Sequence, residues 1–494
     1  MPHSQDRPAL VLFRDDLRVA DHPALHAAVA SGQKLLCLYL VDEESEGRRP
    51  LGGAARWWVH HAVQALAERL GALGGRLDIL RGATVDTLER VAIAANASSC
   101  YLHRRYGATE RATDAALTDA LEARGVTVHA FNGALIHEPG AVLTGAGTPF
   151  RVFTPYRRAH LALGPGDAPL PAPRAVEAAT LPAGIDTMTL DALAWLPVGP
   201  DWAGGLRDTW TPGEAAAHAK LHDFLKRGLP RYGEERNEPA LDSASGLSPY
   251  LRHGELSPRQ VLAEARTAAE DGRASQAEID KFASEVIWRD FDYDLLVQHP
   301  DLAWEAVNPS FATFPYRSPA PDEFRAWKTG QTGYPIVDAG MRQLWLTGVM
   351  HNRVRMIAAS FLIKHMLVDW RLGEEWFWDT LCDADPANNP ANWQWVAGCG
   401  VDPSPYFRIF NPVSQGERYD PKGTYVSAFV PELVELPARW IHHPWDAPPE
   451  VLAKAGVVLG ETYPRPLVEH GPARARALEA LASMRKSRPS QGPS

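Results

Sequence analysis

Between Trp345 and Pro412 the chain concentrates side chains able to hold a flat, charged molecule. In Met350-His351-Asn352-Arg353-Val354-Arg355-Met356, which opens a helix, Asn352, Arg355 and Met356 fall at i, i+3 and i+4 and share one face. An amide, a guanidinium and a polarizable thioether on that face could line a planar aromatic ligand. Taken alone, the plainer reading is Asn352 as an N-cap and Arg355 as a solvated cation. Asp383-Ala384-Asp385-Pro386-Ala387-Asn388-Asn389-Pro390-Ala391-Asn392-Trp393-Gln394-Trp395 follows, with two carboxylates two residues apart ahead of two prolines. Such a run suits a helix interior poorly and is expected to form a structured loop. No His or Cys set accompanies the carboxylates, so no metal site is expected; plain Asn and Pro turn chemistry competes with any functional reading.

Two upstream segments have similar potential. Glu285, Trp288 and Arg289 again share one helical face, although a Glu–Arg pair at this spacing is ordinarily a surface salt bridge. Tyr232 and Arg236 precede Ala244-Ser245-Gly246-Leu247-Ser248-Pro249-Tyr250, a small-residue loop leading into a helix. Its hydroxyls and backbone N–H groups could cradle phosphates, and a turn with a helix cap explains it equally well.

These residues need elements to position them. Residues 8–135 alternate apolar runs with amphipathic stretches, predicting strands at Ala9–Phe13, Lys34–Leu40, Arg76–Leu80, Cys100–His103 and Thr127–Phe131. Helices are expected at Pro23–Ser31, Gly53–Leu73, Thr84–Ala95 and Thr109–Arg124, which makes a doubly wound parallel α/β sheet. The first strand runs into Arg14-Asp15-Asp16-Leu17-Arg18 with no Gly-x-Gly-x-x-Gly, so dinucleotide binding of the ordinary Rossmann kind is not expected. Prolines interrupt Gly164–Trp202, which reads as a long connector. Beyond Gly213 the periodicity is helical, with helices expected at Glu214–Arg227, Ser257–Ala269, Gln276–Gln298, Tyr334–Thr347, Asn352–Trp370 and Glu374–Cys382. The expected organisation is an α/β domain over 1–135, a linker over 136–212, an all-helical domain over 213–484 and a frayed tail over 485–494.

Composition bounds the function. A chain of 494 residues with 45% hydrophobic content can build its core without staples. Its four cysteines are widely spaced and fit neither a disulfide framework nor a C-x-x-C site. The opening Met-Pro-His-Ser-Gln-Asp-Arg-Pro lacks the layout of a signal peptide, and no apolar run approaches the ~20 residues of a membrane span. A soluble, cytoplasmic protein is expected. The net charge of −10 argues against bulk electrostatic attachment to nucleic acid while leaving room for a local basic patch. The 16 tryptophans, most of them after residue 280, exceed what packing requires.

Together these segments resemble the DNA photolyase/cryptochrome family over nearly the whole chain. The resemblance is carried by Leu12-Phe13-Arg14-Asp15-Asp16-Leu17-Arg18 with Asp21-His22-Pro23-Ala24-Leu25, by Ser245–Tyr250, by Val286-Ile287-Trp288-Arg289-Asp290-Phe291 and by Thr332–Ala339. Met350–Met356, Trp393-Gln394-Trp395 and Tyr406-Phe407-Arg408-Ile409-Phe410-Asn411-Pro412 follow in family order. It implies an α/β antenna domain joined by a long linker to a larger all-α domain holding a U-shaped FAD. Tyr232, Ser245, Leu247 and Ser248 would hold the phosphates and ribityl chain, with Arg289 nearby. Arg355 and Asp383 would pair at the isoalloxazine with Asn352 on the same helix, Asp385 at its polar edge and Asn389 facing N5. Cryptochrome photoreceptors commonly place Asp or Cys at that last position, so Asn389 favours repair.

The resemblance also implies a substrate class. Photolyases of the (6-4) type place histidines where this chain has Asn352 and Met356, so these two resemble enzymes acting on cyclobutane pyrimidine dimers, whose splitting needs no proton transfer. Glu285 would hydrogen-bond the flipped dimer, Trp288 and Trp395 would stack on the extruded bases, and Arg236, Arg353 and Arg408 would contact DNA phosphates. Trp393 and Trp370 match the first two members of the family's tryptophan chain. The third is replaced by Tyr316, so that photoreduction could branch through Trp376 or Trp378 instead. Ala244 replaces a threonine, and Phe282 stands where tryptophan is common. Gly53-Ala54-Ala55-Arg56-Trp57-Trp58 resembles bacterial photolyases carrying 5,10-methenyltetrahydrofolate, with a deazaflavin as the competing antenna; Trp57 and Trp58 are left as helix packing. A monomer is expected, at the nucleoid when bound to damaged DNA. The alternative is a cryptochrome signalling without repair, against which stands the lack of a long extension after Tyr463-Pro464-Arg465-Pro466.

Overall fold

The structure, a computed structural model, describes residues 7–402 and 407–486. It divides into two compact units: Met1–Pro230 with Ser245–Pro300, and Arg231–Ala244 with Asp301–Ser494.

The first unit is built on five parallel strands, β1 (Ala9–Phe13), β2 (Leu35–Val41), β3 (Leu77–Arg81), β4 (Ser99–His103) and β5 (Thr127–Phe131), in the order β3-β2-β1-β4-β5. Every residue of β1, β2 and β4 is buried, as expected of strands covered on both faces. Helices α1 (Pro23–Ala30), α2 (Gly53–Ala72), α3 (Thr84–Ala94) and α4 (Ala108–Ala123) wind the sheet, each within a residue or two of its predicted span. Leu10, Leu12, Leu36, Leu38, Leu88, Val91, Leu117 and Leu121 form the core beneath α3 and α4.

The stretch expected as a plain linker contains a helix, α5 (Phe153–Ala162). Its sequence, with Pro155 and two arginines, gives a weak apolar period; tertiary burial of Phe153, Tyr156 and His160 stabilises it. Then come α6 (Gly204–Thr209), α7 (Glu214–Arg227), α9 (Ser248–Arg252), α10 (Pro258–Glu270) and α11 (Gln276–Gln298), with the four-residue α8 (Tyr232–Glu235) belonging to the second unit. A capping box formed by Ser257 and Gln260 starts α10. Helix α11 is pinned to the α5 region by carboxylates: Asp290 accepts from the N–H of His137 at 2.9 Å and pairs with His160 Nε2 at 2.9 Å, and Asp294 accepts from the N–H of Gly140 at 2.8 Å.

The second unit is helical: α12 (Pro321–Lys328), α13 (Pro335–Thr347), α14 (Asn352–Ser360), α15 (Trp370–Thr380), α16 (Asn388–Ala397), α17 (Pro412–Tyr419), α18 (Thr424–Phe429), α19 (Ala438–Ile441), α20 (Pro449–Lys454) and α21 (His470–Lys486). The single helix predicted over Asn352–Trp370 is interrupted. After α14 the chain forms a π turn at Phe361–His365, Leu367 takes φ +52°, and Asp369 accepts from the N–H of Arg371 to start α15. Apolar periodicity cannot register such a break, because every residue from Val354 to Val368 except Arg355 and Met356 is buried. Asn352 is not the N-cap of α14; His351 is, its Nδ1 accepting from the N–H of Arg353. The structured loop expected over Asp383–Trp395 shrinks to five residues, since α16 begins at Asn388 with Pro390 in its first turn. Helix α21 takes in Arg485 and Lys486 of the expected tail; residues 487–494 and Tyr406 lie outside the described residues. Among the described residues no helix is long and apolar enough to cross a membrane.

Candidate functional site

In the second unit, α14, α15 and α16 bring together most of the side chains singled out for the ring of a ligand. Arg355 donates through Nε to the carbonyl of Met350 at 2.7 Å and through Nη2 to Asp383 Oδ2 at 2.8 Å. The guanidinium is thereby fixed at the start of the short loop that follows α15. Asp385 Oδ1 accepts from the N–H groups of Ala387 and Asn388 and from Asn388 Nδ2, each at 2.9 Å, so this carboxylate caps the entry to α16. One turn on, Asn389 is buried and donates through Nδ2 to Oε1 of Glu374 at 2.8 Å and to its carbonyl at 3.2 Å. Both donors of the amide face α15, and its oxygen faces away. Glu374, itself buried, was not singled out from the sequence; one of two adjacent glutamates, Glu374-Glu375, in a Trp-rich helix gives no signal of burial.

On the same α14, Asn352 is exposed while Met356 is half-buried, in contact with the core and 3.8 Å from Nη1 of Arg353. Arg353 donates to Asn237 Oδ1 at 2.7 Å and lies over the ring of Tyr419, 4.5 Å from its centroid. The arginines 236, 408 and 418 are close enough to lower its proton affinity, after burial, the largest cause. Arg236 lies over the buried Tyr232 at 5.2 Å, and Arg408 over Phe410 at 4.8 Å. Three of the arginines expected to meet phosphates therefore belong to one basic cluster, which Arg418 extends. The carbonyl of Arg408 also accepts from the buried Lys364 Nζ at 2.5 Å.

The tryptophans occupy different settings. Trp393, on α16, is buried edge-on against Phe377 at 4.9 Å and Trp327 at 6.3 Å, and Trp370 is buried at the start of α15 beneath Arg371. Gly373 lies against Trp393 so closely that a Cβ would come within 2.2 Å of the indole. Tyr316 is half-buried beside Phe314, and burial holds its phenol proton more tightly than usual. Trp376 is stacked parallel to the exposed Trp345 at 6.0 Å, with the Lys328 ammonium 4.8 Å from its ring. Trp395 is half-buried on α16.

The first unit holds the remaining residues. Glu285, Trp288 and Arg289 share the half-buried face of α11, as their spacing predicts. Trp288 is stacked on Phe153 at 3.7 Å and 11°, so one face of its indole is already covered by α5. Arg289 donates to the carbonyl of Ala134 and lies over Tyr293 at 5.0 Å. In the loop before α9, Ser245 is half-buried and Leu247 is buried, and Ser248, the first residue of α9, is exposed. Gly246 takes φ +63° there, a conformation that favours glycine.

The motif after β1 turns out to be structural. Arg18, fully buried, donates to the carbonyls of Ala20, Asp21, Gly133 and Gly254. Asp16, His22 and His103 form a buried group whose ligand-capable atoms lie within 4.8 Å of one another. His22 Nδ1 accepts from the N–H of Leu25 and His103 Nε2 from that of Ala24, so the nitrogen facing Asp16 carries the hydrogen in each ring. Neither of those nitrogens keeps a lone pair for a cation. Burial alone would raise the Asp16 carboxyl, but the two imidazoles outweigh it and hold it well below the usual carboxylate range.

A doubly wound sheet in one unit, with a helical second unit carrying a clamped guanidinium and an oriented amide among buried tryptophans, defines a two-part α/β and all-helical architecture. Residues 282–483 match the family model described as the FAD binding domain of DNA photolyase, and residues 9–174 match that of DNA photolyase. The chain belongs to the DNA photolyase family. It is 48% identical to a deoxyribodipyrimidine photo-lyase of Agrobacterium fabrum over 97% of this chain and 98% of that one. It is 34% identical to cryptochrome-2 of Arabidopsis thaliana over 98% of this chain and 80% of the other. Among solved structures, a bacterial class III photolyase from Agrobacterium tumefaciens superposes with a TM-score of 0.93 at 47% identity, covering 98% of both chains. A Synechocystis cryptochrome gives 0.86 at 31% identity, covering 97% of this chain and 100% of its own.

Proposed function

We propose that this chain is a light-driven lyase that splits cyclobutane pyrimidine dimers in DNA, and not a cryptochrome that signals without repair. The observation that carries this reading is the setting of Asn389: with both donors engaged by Glu374, its oxygen is the group left to accept a hydrogen bond. A flavin N5–H would donate to that oxygen, and a neutral amide there adds no charge against a reduced, anionic ring, whereas an ionised carboxylate would oppose it.

FAD, when bound, supplies the photoexcited electron that enters the dimer and returns once both ring bonds have broken. The chain's own residues bind and orient. The Arg355–Asp383 pair would suit the polar side of the isoalloxazine because its cation is already held by the carbonyl of Met350 and by Asp383. Asn352 and Asp385 take the ring's remaining polar edge, and Tyr232, Ser245, Leu247, Ser248 and Arg289 the phosphates and ribityl chain. Glu285 hydrogen-bonds the extruded dimer and Met356 packs against it. Trp288, with one face covered by Phe153, and Trp395 stack on the bases. Arg236, Arg353 and Arg408 hold the DNA backbone, a local basic cluster on an acidic chain. Trp393, Trp370 and Tyr316 carry electrons to oxidised flavin. The protein acts as a cytoplasmic monomer, nucleoid-associated when on DNA.

We assign the antenna to 5,10-methenyltetrahydrofolate in preference to a deazaflavin. Support comes from a cleft of about 290 Å³ in the first unit, between α2 and the segment from Arg207 to Pro212. His61 and Trp210 offer ring surface to a flat heterocycle beside the buried Trp57, and Arg207, which Asp201 already pairs, also lines the cleft. Trp57 stands in the wall of the cleft although, like Trp58, it is fully buried.

The test is loss of dimers from ultraviolet-irradiated oligothymidine in blue light and in darkness. Light-dependent loss is expected; equal amounts in both arms would leave the photoreceptor reading.

A further inference from the structure

Behind that cleft lies a side chain with no part in the repair chemistry. Glu255, between α9 and α10, is fully buried. Its Oε2 accepts from the indole N–H of Trp58, on α2, at 2.7 Å, and its Oε1 accepts from the N–H of Gly213. Gly213 ends the strap that carries Trp210, Thr211 and Pro212 along one wall of the cleft, and the other wall is α2. Each oxygen of a single carboxyl therefore holds one wall.

The surroundings bind the same pieces tightly. Gly213 takes φ +120°, and a Cβ on it would come within 2.8 Å of Ala65 Cβ, so the strap lies directly on α2. Tyr250 donates its hydroxyl to the carbonyl of Thr211 at 3.0 Å and packs its ring edge-on against Trp58 at 5.0 Å. Trp210 meets Trp58 at 5.5 Å. No ion pair reaches Glu255 among the described residues; burial, with Glu214 nearby, pushes its carboxyl up, while the N–H groups of Trp58 and Gly213 pull the other way by favouring the ionised form that accepts from both. A leucine here would pack without that desolvation cost. What a leucine cannot do is accept from two walls at once.

We propose that Glu255 is a positioning residue for the antenna cleft, a carboxyl staple that sets the spacing between α2 and the 210–212 strap and so the fit of a flat pigment between them. This rests on the reading of the cleft as the antenna site. Glu255→Gln keeps shape and volume but has one acceptor, so its NH2 group must face an N–H and one wall is released. Trp58→Phe releases the other wall directly.

The full-length protein, freed of pigment, is titrated with 5,10-methenyltetrahydrofolate and followed by near-ultraviolet absorbance, with Trp210→Ala as the control for the cleft. Glu255→Gln and Trp58→Phe are each expected to weaken binding by roughly 10-fold or more, the worth of a hydrogen bond to a charged or buried group. The double variant is expected to bind no more weakly than Glu255→Gln alone, because both changes open one staple. FAD content and repair under direct flavin excitation are expected to stay at wild-type levels in the Glu255→Gln protein. If Trp210→Ala binds the folate as wild type does, the cleft reading falls and the staple with it. If Trp210→Ala loses binding while Glu255→Gln keeps wild-type affinity, the staple is overturned and the cleft stands. Strictly additive losses, or loss of FAD in Glu255→Gln, overturn it as well, since they mark a general structural role.

Discussion

The amide of Asn389 is turned by Glu374: Nδ2 donates to Oε1 at 2.8 Å and to the carbonyl of the same residue at 3.2 Å. One buried glutamate thus decides which end of the amide a ligand meets. Glu374→Ala would leave a buried NH2 group with one partner in place of two. A loss of stability of about 1–3 kcal/mol is expected, read by thermal unfolding of the FAD-loaded protein. Reduced flavin should also reoxidise faster in air, because the amide is then free to flip. An unchanged reoxidation rate would separate Asn389 from N5.

Glu285 tests the substrate side of the proposal. Glu285→Ala removes one hydrogen bond to the dimer and touches none of the groups assigned to the flavin ring. Repair per absorbed photon should fall on the order of a few-fold with FAD still bound. The measurement is the quantum yield on irradiated oligothymidine under flavin-only illumination.

Electron supply is separable from repair. Trp393→Phe should abolish photoreduction of oxidised flavin, because phenylalanine is far harder to oxidise than an indole. Protein reduced chemically with dithionite should still repair. Loss of both activities would instead point to damaged packing, a real alternative given how closely Gly373 lies against this indole.

Lys364 gives a pH dependence with a defined sign. Its ammonium donates to the carbonyl of Arg408 and lies 4.2 Å from the ring centroid of Phe407, both of which favour the charged form. Burial outweighs them and pulls the amine down to about 7. Between that value and the ordinary lysine range the unfolded chain binds more protons than the folded one, so this group's contribution to stability rises with pH and is lost as pH falls toward 7. The slope is at most roughly 1.4 kcal/mol per pH unit. Lys364→Met should therefore look more destabilising at pH 9 than at pH 7 in paired thermal melts.

Arg353 tests the DNA contact. Arg353→Ala should weaken binding of undamaged and damaged duplex alike and reduce the slope of log affinity against log salt by about 1. Held by Asn237 and Tyr419, the guanidinium is preorganised, so Arg353→Lys should recover only part of the loss. Fluorescence anisotropy over a salt series reads both.

The amino-acid sequence determined the sheet almost to the residue, since runs such as Leu-Leu-Cys-Leu-Tyr-Leu-Val can be buried on both faces only as inner parallel strands. It also determined which helical faces carry Glu285 with Trp288 and Arg355 with Met356, because a fixed period needs no partner to be read. Only the tertiary structure decided the rest. The π turn and left-handed Leu367 that split one apolar run into α14 and α15, the stabilisation of α5 through Phe153 and Tyr156, and the turning of Asn389 by Glu374 all depend on groups distant in the chain. Local periodicity reports which face is apolar. The partner that a buried carboxyl, amide or indole finds is fixed by packing, and packing has no period.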